Sequence, residues 1–218
     1  MRLPVAAVLL SFLAAVGSPA AQTLLSACAN LTQPGDYLLA QDVNQSLTLP
    51  CFEVSANNVS LDCAGHSVSG WMKEIKAESR RGLSVRNCVF MPLYPNLAHA
   101  SLSLFDVNDS TFSNNTFRLP PNSGGIMVLV NQSHRNVFEG NAIYGGSKGI
   151  SLFYASGNQF FGNLIADVGL GAYDYYSGGN FFYDNTFLRN GALGFYYYAS
   201  QQAEAGWFYR NSFVDNGD

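Results

Sequence analysis

Basic residues are scarce. Lys and Arg number 11 in 218 residues against 15 Asp and Glu, leaving a formal charge of −4 with the three histidines neutral. Such a chain has no electrostatic footprint for nucleic acid or for anionic lipid. Long apolar runs are missing after the first 20 residues, because Gly, Asn and Asp interrupt every one, so no later segment reaches membrane-spanning length. The four cysteines include no C-x-x-C pair, which argues against a thiolate metal site. The Leu-x-x-Leu-x-Leu spacing of leucine-rich repeats is also absent. Charged residues make up only 12%, so Asn, Ser, Gly and Tyr are left to carry the surface.

What is present is a repeat. STFSNNTF (110–117), NVFEGNAI (136–143), NQFFGNLI (158–165), NFFYDNTF (180–187) and GWFYRNSF (206–213) recur every 22 to 26 residues. The third position is always Phe: Phe112, Phe138, Phe160, Phe182 and Phe208. The sixth is always Asn: Asn115, Asn141, Asn163, Asn185 and Asn211. The eighth is Phe117, Ile143, Ile165, Phe187 or Phe213. A period of this length marks a solenoid, and segments rich in Phe, Tyr, Val and Ile between Gly and Asn read as short strands and turns. The expected fold is all-β, a single-stranded right-handed parallel β-helix of about 22-residue coils stacked at about 4.8 Å. The Phe column becomes a stack of rings, and the Asn column a structural ladder of side-chain amides.

Residues 1–20 read as a secretory signal peptide. Arg2 supplies the basic region, residues 5–16 the apolar core, and Ser18 and Ala20 the small residues before the cleavage site. The mature chain is then exported: secreted, periplasmic or on the cell surface. In that compartment four cysteines form two disulfides. LDC (61–63) and RNC (86–88) occupy the same position in successive coils, which pairs Cys63 with Cys88 and leaves Cys28 with Cys51. The second bridge ties an N-terminal cap over residues 21–56, and the repeats fill 57–218. Nothing after Phe213 reads as a polar cap, so the expectation is a repeat array incomplete at its C-terminus, its end meeting further coils or an oligomer partner. Residues 71–81, WMKEIKAESRR, break the frame and are expected to project as a loop or short helix. Asn30, Asn44, Asn58, Asn108, Asn114 and Asn131 each open an N-x-Ser/Thr acceptor for N-glycosylation.

Residues 28–70 resemble the N-terminal segment of the NosD-like, or pectin-lyase-like, right-handed parallel β-helix proteins. The turn PGDYLLAQDV, the strand CFEV and the coil opener NNVSLDCAGHSVSG carry the resemblance, through Pro34, Gly35, Tyr37, Leu38, Asp42, Cys51, Asn58, Val59, Leu61, Asp62, Gly65, His66 and Gly70. The opener and the following N-x-F-x-x-N-x-I coils extend the likeness over nearly all of the mature chain. It implies a fold that hosts lyases, hydrolases, adhesins and accessory proteins. The NosD name suggests metal handling, but three His and four Met beside oxidised cysteines argue against copper, so no cofactor is expected.

Catalysis on this fold needs converging groups. A hydrolase needs two carboxylates at a set separation, and a lyase needs a base beside carboxylates that hold Ca²⁺ on a uronate. Glu139, Asp167, Asp184 and Asp215 fall in different columns, except that Asp167 and Asp215 share one with Arg189 between them, which reads as a charge ladder at turns. Asp174 interrupts a column held by Leu152 and Tyr197. If that position points inward, Asp174 is a buried carboxylate and the weak catalytic candidate; the favoured expectation is that the strand shifts by one and Asp174 faces water. Eight of the twelve tyrosines fall in the last three coils. Alternation predicts outward columns of Phe153, Tyr175 and Tyr198, of Ser151, Tyr173 and Tyr196, and of Phe161, Tyr183 and Tyr209. Such rings suit a polysaccharide, a glycan surface or a partner protein; alternatively, Tyr simply packs well on strands. A non-catalytic carbohydrate-binding β-helix is the leading expectation. A polysaccharide lyase or glycoside hydrolase, and a NosD-like accessory protein, are the alternatives.

Overall fold

The computed structural model describes residues 22–46, 49–93, 100–198 and 206–217, and every regular element among them is a strand. Strands Thr23–Leu25, Gly35–Leu39, Val59–Asp62, Ser84–Arg86, Thr111–Ser113, Val137–Glu139, Gln159–Phe161, Phe181–Tyr183 and Trp207–Tyr209 stack in chain order as a nine-stranded parallel sheet. A fourteen-stranded sheet makes up the rest. Its long strands Thr116–Asn131 and Ala142–Phe153 pair with different neighbours along their two halves, so this sheet serves two walls of the solenoid. Partners lie one coil apart: Val137 opposite Gln159, Gln159 opposite Phe181, and Phe181 opposite Trp207. The chain is a parallel β-helix. The proposed signal peptide lies outside the described residues.

Strand alternation sends every second residue inward. Phe112, Phe138, Phe160, Phe182 and Phe208 stack at centroid separations of 4.9, 4.6, 4.6 and 5.2 Å. Burying each of the first four contributes roughly 2–3 kcal/mol. The Asn column lies inside as well. Asn115, Asn141, Asn163 and Asn185 each donate from Nδ2 to the Oδ1 of the next rung, at 2.9–3.1 Å. The same Oδ1 accepts the backbone N–H of the rung before it. A bend thus costs no unpaired amide, as buried backbone requires. The residue before each rung (Asn114, Gly140, Gly162, Asp184, Arg210) has φ between 51° and 62°, the left-handed turn that aims the next side chain inward.

A second ladder follows the first letter of the repeat. Asn136, Asn158 and Asn180 are joined Nδ2 to Oδ1 at 3.1 Å, and Asn136 Oδ1 accepts the backbone N–H of Ser110. The disulfides link Cys28 to Cys51 and Cys63 to Cys88, with Cα atoms 4.6 and 4.7 Å apart. Solenoid pairing already begins at Thr23, opposite Tyr37.

Residues 71–81 do not project as a loop or helix. Ile75–Arg81 is an interior strand paired with Phe52–Val54 on one side and Ala100–Asn108 on the other. Ile75 and Ala77 face the core, whereas Lys76 faces out between Glu53 at 3.2 Å and Glu78 at 3.1 Å. The density of charge conceals an ordinary two-residue alternation whose outward positions hold the ion pairs. Glu74, just before the strand, is fully buried.

Candidate functional site: an aromatic face beside a buried carboxylate

The last coils build an aromatic face on the wall formed by the second half of Ala142–Phe153, Leu170–Tyr175 and Leu193–Tyr198. Register places Ser151, Tyr173 and Tyr196 in one column and Phe153, Tyr175 and Tyr198 in the next. Tyr173 stacks on Tyr196 with centroids 5.4 Å apart and planes 12° apart; Tyr175 and Tyr198 do so at 5.2 Å and 17°. Each ring lies with one face against the ring one coil away, and Tyr196 and Tyr198 remain 39% and 44% exposed. The wall therefore presents ring edges and phenol hydroxyls in rows spaced by the coil repeat. Phe153 is tilted 57° against both Tyr173 and Tyr175 and closes the head of the rows. Ser151 is fully buried and presents nothing outward.

Three further residues join this face. Tyr154 and Tyr176 stand one residue past Phe153 and Tyr175, with φ of 50° and 48°. Asp106 and Gln132 hold the same left-handed corner in the two preceding coils, with φ of 50° and 49°, so the corner is the regular turn of the solenoid and these two coils place a ring at it. Their rings stack at 5.7 Å and 7°, and Tyr176 meets Tyr175 edge-on at 4.2 Å. Hydrogen bonding to Tyr175 raises the Tyr176 phenol pKa, and hydrogen bonding to Tyr176 raises that of Tyr198. Lys148 extends its ammonium over the Tyr173 ring, 4.4 Å from the centroid. Continuing the 22-residue register by one position would have found both tyrosines in the sequence; Lys148 carries no such signal.

Other predicted members lie elsewhere. Phe161, Tyr183 and Tyr209 share a column, but on the nine-stranded sheet. There Phe161 stacks on Tyr183 at 5.0 Å, and Tyr209 packs under the Arg210 guanidinium at 4.9 Å. The eight-residue aromatic cluster of the sequence is thus divided between two walls.

Asp174 does not face water. Its strand keeps register, with Leu152 opposite on one side and Tyr197 on the other, and the side chain is buried at 1% exposure. The reason lies one coil on. Asn136 and Asn158 each donate one Nδ2 hydrogen to a backbone carbonyl and the other to the next rung. At Asn180 the next rung is missing, because Gly206 stands at that register position. Asn180 instead donates to Ala155 O at 3.1 Å and to Asp174 Oδ2 at 3.4 Å. Asp174 ends the second ladder. Burial raises its pKa to about 6, Oδ1 has no protein partner, and Tyr197 alongside is raised by its own burial and then by the Asp174 charge.

Three other acids are held by arginines. Asp109, Asp167 and Asp184 stand in left-handed turns, each pinned by the arginine one coil on: Arg135, Arg189 and Arg210. Those hydrogen bonds hold all three carboxyls below the usual range. Glu74 is a second buried acid. Burial raises its pKa to about 8; Oε1 accepts Gly70 N–H at 3.3 Å, and Oε2 has no hydrogen-bond partner. Of the glycosylation acceptors, Asn30, Asn44, Asn58 and Asn114 are exposed, while Asn108 and Asn131 are half-buried.

Metal donors are dispersed. Both cysteine pairs are disulfides. His66 lies 3.4 Å from Asp42, His134 Nδ1 is 2.8 Å from Ser156 Oγ, and His99 lies outside the described residues. Among the described residues no three of His, Cys, Asp and Glu converge on one point.

No curated protein matches the chain. The family model described as "Periplasmic copper-binding protein (NosD)" matches residues 51–218, the span that holds the ladders, the ring stack and the aromatic face. With most of its length matched on a parallel β-helix, the chain belongs to the NosD family.

Proposed function

We propose that this chain is an exported, non-catalytic β-helix that binds polysaccharide through the aromatic face of Phe153, Tyr154, Tyr173, Tyr175, Tyr176, Tyr196 and Tyr198. One observation carries the reading: two tyrosines held in left-handed backbone extend rows of phenol edges along a rigid wall. Phenol hydroxyls donate and accept hydrogen bonds, and ring edges tolerate C–H contact, which suits a polyhydroxylated chain lying along the coil axis. The rigid β-helix holds the rows in place before binding, so little ordering entropy is lost on association.

Binding without turnover is favoured because Asp109, Asp167 and Asp184 are tied to arginines, while Asp174 and Glu74 are walled into the interior. A glycan array probed with wild type and with a Tyr173→Ala/Tyr196→Ala variant tests the reading. Binding lost in the variant supports it, and binding unaffected by the variant removes the face from the account. Release of unsaturated or reducing ends from a polysaccharide, abolished by Asp174→Asn, would favour the lyase or hydrolase alternative.

The family description names copper. Imidazole, thiolate and thioether are its usual donors. Here the four cysteines are oxidised, and the Met127 sulfur is buried with Ser101 Oγ 3.8 Å away. Met72 and Met91 are exposed thioethers, but no His, Cys, Asp or Glu cluster stands among the described residues to join them, and no copper chemistry is assigned here.

A further inference from the structure

The aromatic face carries a cation that rests on a tyrosine ring and has no acid partner among the described residues. Lys148 shares an outward register position with Ile126, Leu170 and Leu193 in adjoining coils, all apolar. The columns beside it over the same coils hold Leu129, Ser151, Tyr173 and Tyr196, and Asn131, Phe153, Tyr175 and Tyr198. Over these coils the columns hold no carboxylate (they reach Glu53 and Glu78 only further toward the N-terminus), and among the described residues Lys148 makes no ion pair. Five other cations are matched to acids: Arg86, Arg135, Arg189 and Arg210 to the aspartate one coil earlier, and Lys76 to two glutamates; Arg118, like Lys148, lies over a tyrosine ring, that of Tyr144 at 5.9 Å. Lys148 instead rests on the Tyr173 ring, at the place where Ser151 is too small to continue the stack.

We propose that Lys148 makes the face selective for an acidic polysaccharide, one with carboxylate groups along its length; this deepens the binding function proposed above and rests on it. The ring quadrupole holds the ammonium in place, and the ammonium keeps donors available for an incoming anion. A carboxylate seated on Lys148 places the next sugars over the Tyr173–Tyr196 and Tyr175–Tyr198 rows, where phenols hydrogen-bond the ring hydroxyls. A neutral polymer reaches the same rows without the charged contact.

Alginate and its propylene glycol ester, which lacks free carboxylates, are the probes, titrated into the full chain with a chelator present to prevent gelation. Wild type is expected to bind alginate about tenfold more tightly than the ester, the size of a charge-assisted hydrogen bond, and the difference should shrink as salt rises. Lys148→Met, close in volume and apolar, is expected to lose that tenfold and to bind both polymers alike, while Lys148→Arg keeps it. Circular dichroism verifies that both variants retain the β-helix. Equal binding of the two polymers by wild type, or alginate binding unchanged in Lys148→Met, overturns the selectivity and leaves the polysaccharide reading standing. Binding of neither polymer, with no glycan retained on an array, overturns both.

Discussion

Replacing Asp174 with Asn should make the protein more stable at neutral pH, although it removes the only ionisable side chain at the end of an interior ladder. Burial holds this carboxyl at a pKa of about 6, against 3.8 for an ordinary aspartate. Each pKa unit corresponds to about 1.4 kcal/mol, so carrying the ionised form inside the fold costs about 3 kcal/mol above pH 6. The sign follows from linkage: the folded state prefers the protonated acid. Its contribution is fully present below pH 3.8 and is lost as pH rises through 6. Asn is close to Asp in shape and still offers Asn180 an acceptor oxygen, but it never ionises. At pH 7.5 the variant should exceed wild type by about 2–3 kcal/mol, or about 4–12 °C in melting temperature for a chain of this size. At pH 4 the gap should close. Glu74 is present in both proteins and cancels in the difference. Trp207, in the coil next to Asp174, reports the local transition by its fluorescence. Equal melting temperatures at pH 7.5, or a gap that persists at pH 4, would refute the reasoning.

Two other substitutions test the ladders and the turns. Asn163→Ala removes a rung that donates to Phe138 O and Asn185 Oδ1 and accepts from Asn141 N and Nδ2, all at 2.9–3.0 Å. Several buried groups lose partners at once, so urea unfolding should show a loss of at least about 3 kcal/mol. Arg189→Ala breaks an exposed pair with Asp167 and should change stability by less than about 1 kcal/mol; NMR titration should show the Asp167 carboxyl returning upward toward the ordinary range.

Much of the fold is legible because a solenoid repeats one local problem. Phe112 through Phe208 and Asn115 through Asn211 meet their own kind one period away, so aligning the repeat amounts to stating the contacts. The disulfides follow from the same register. Legibility fails where charge or insertion obscures the period. The strand Ile75–Arg81 resembles a polar loop because its outward positions hold Lys76 and Glu78, yet Ile75 and Ala77 alternate with them inward. The second ladder is visible as the opening Asn136, Asn158 and Asn180 of the repeat, but its end is not. That Asp174 faces inward depends on Gly206 leaving a rung vacant one coil later.

The sequence by itself determined the β-helix, the buried columns, the cysteine pairing and the concentration of tyrosine in the last coils, because each is a relation between residues one period apart. Only the tertiary structure decided which wall each tyrosine joins, since that depends on where the chain turns between strands. Left-handed turns at Tyr154 and Tyr176 bring two more rings to the face, and the corner before the next strand carries Phe161, Tyr183 and Tyr209 away from it. The three-dimensional packing also set Lys148 on the Tyr173 ring, because an ammonium finds its partner by proximity in space, whichever coil supplies it.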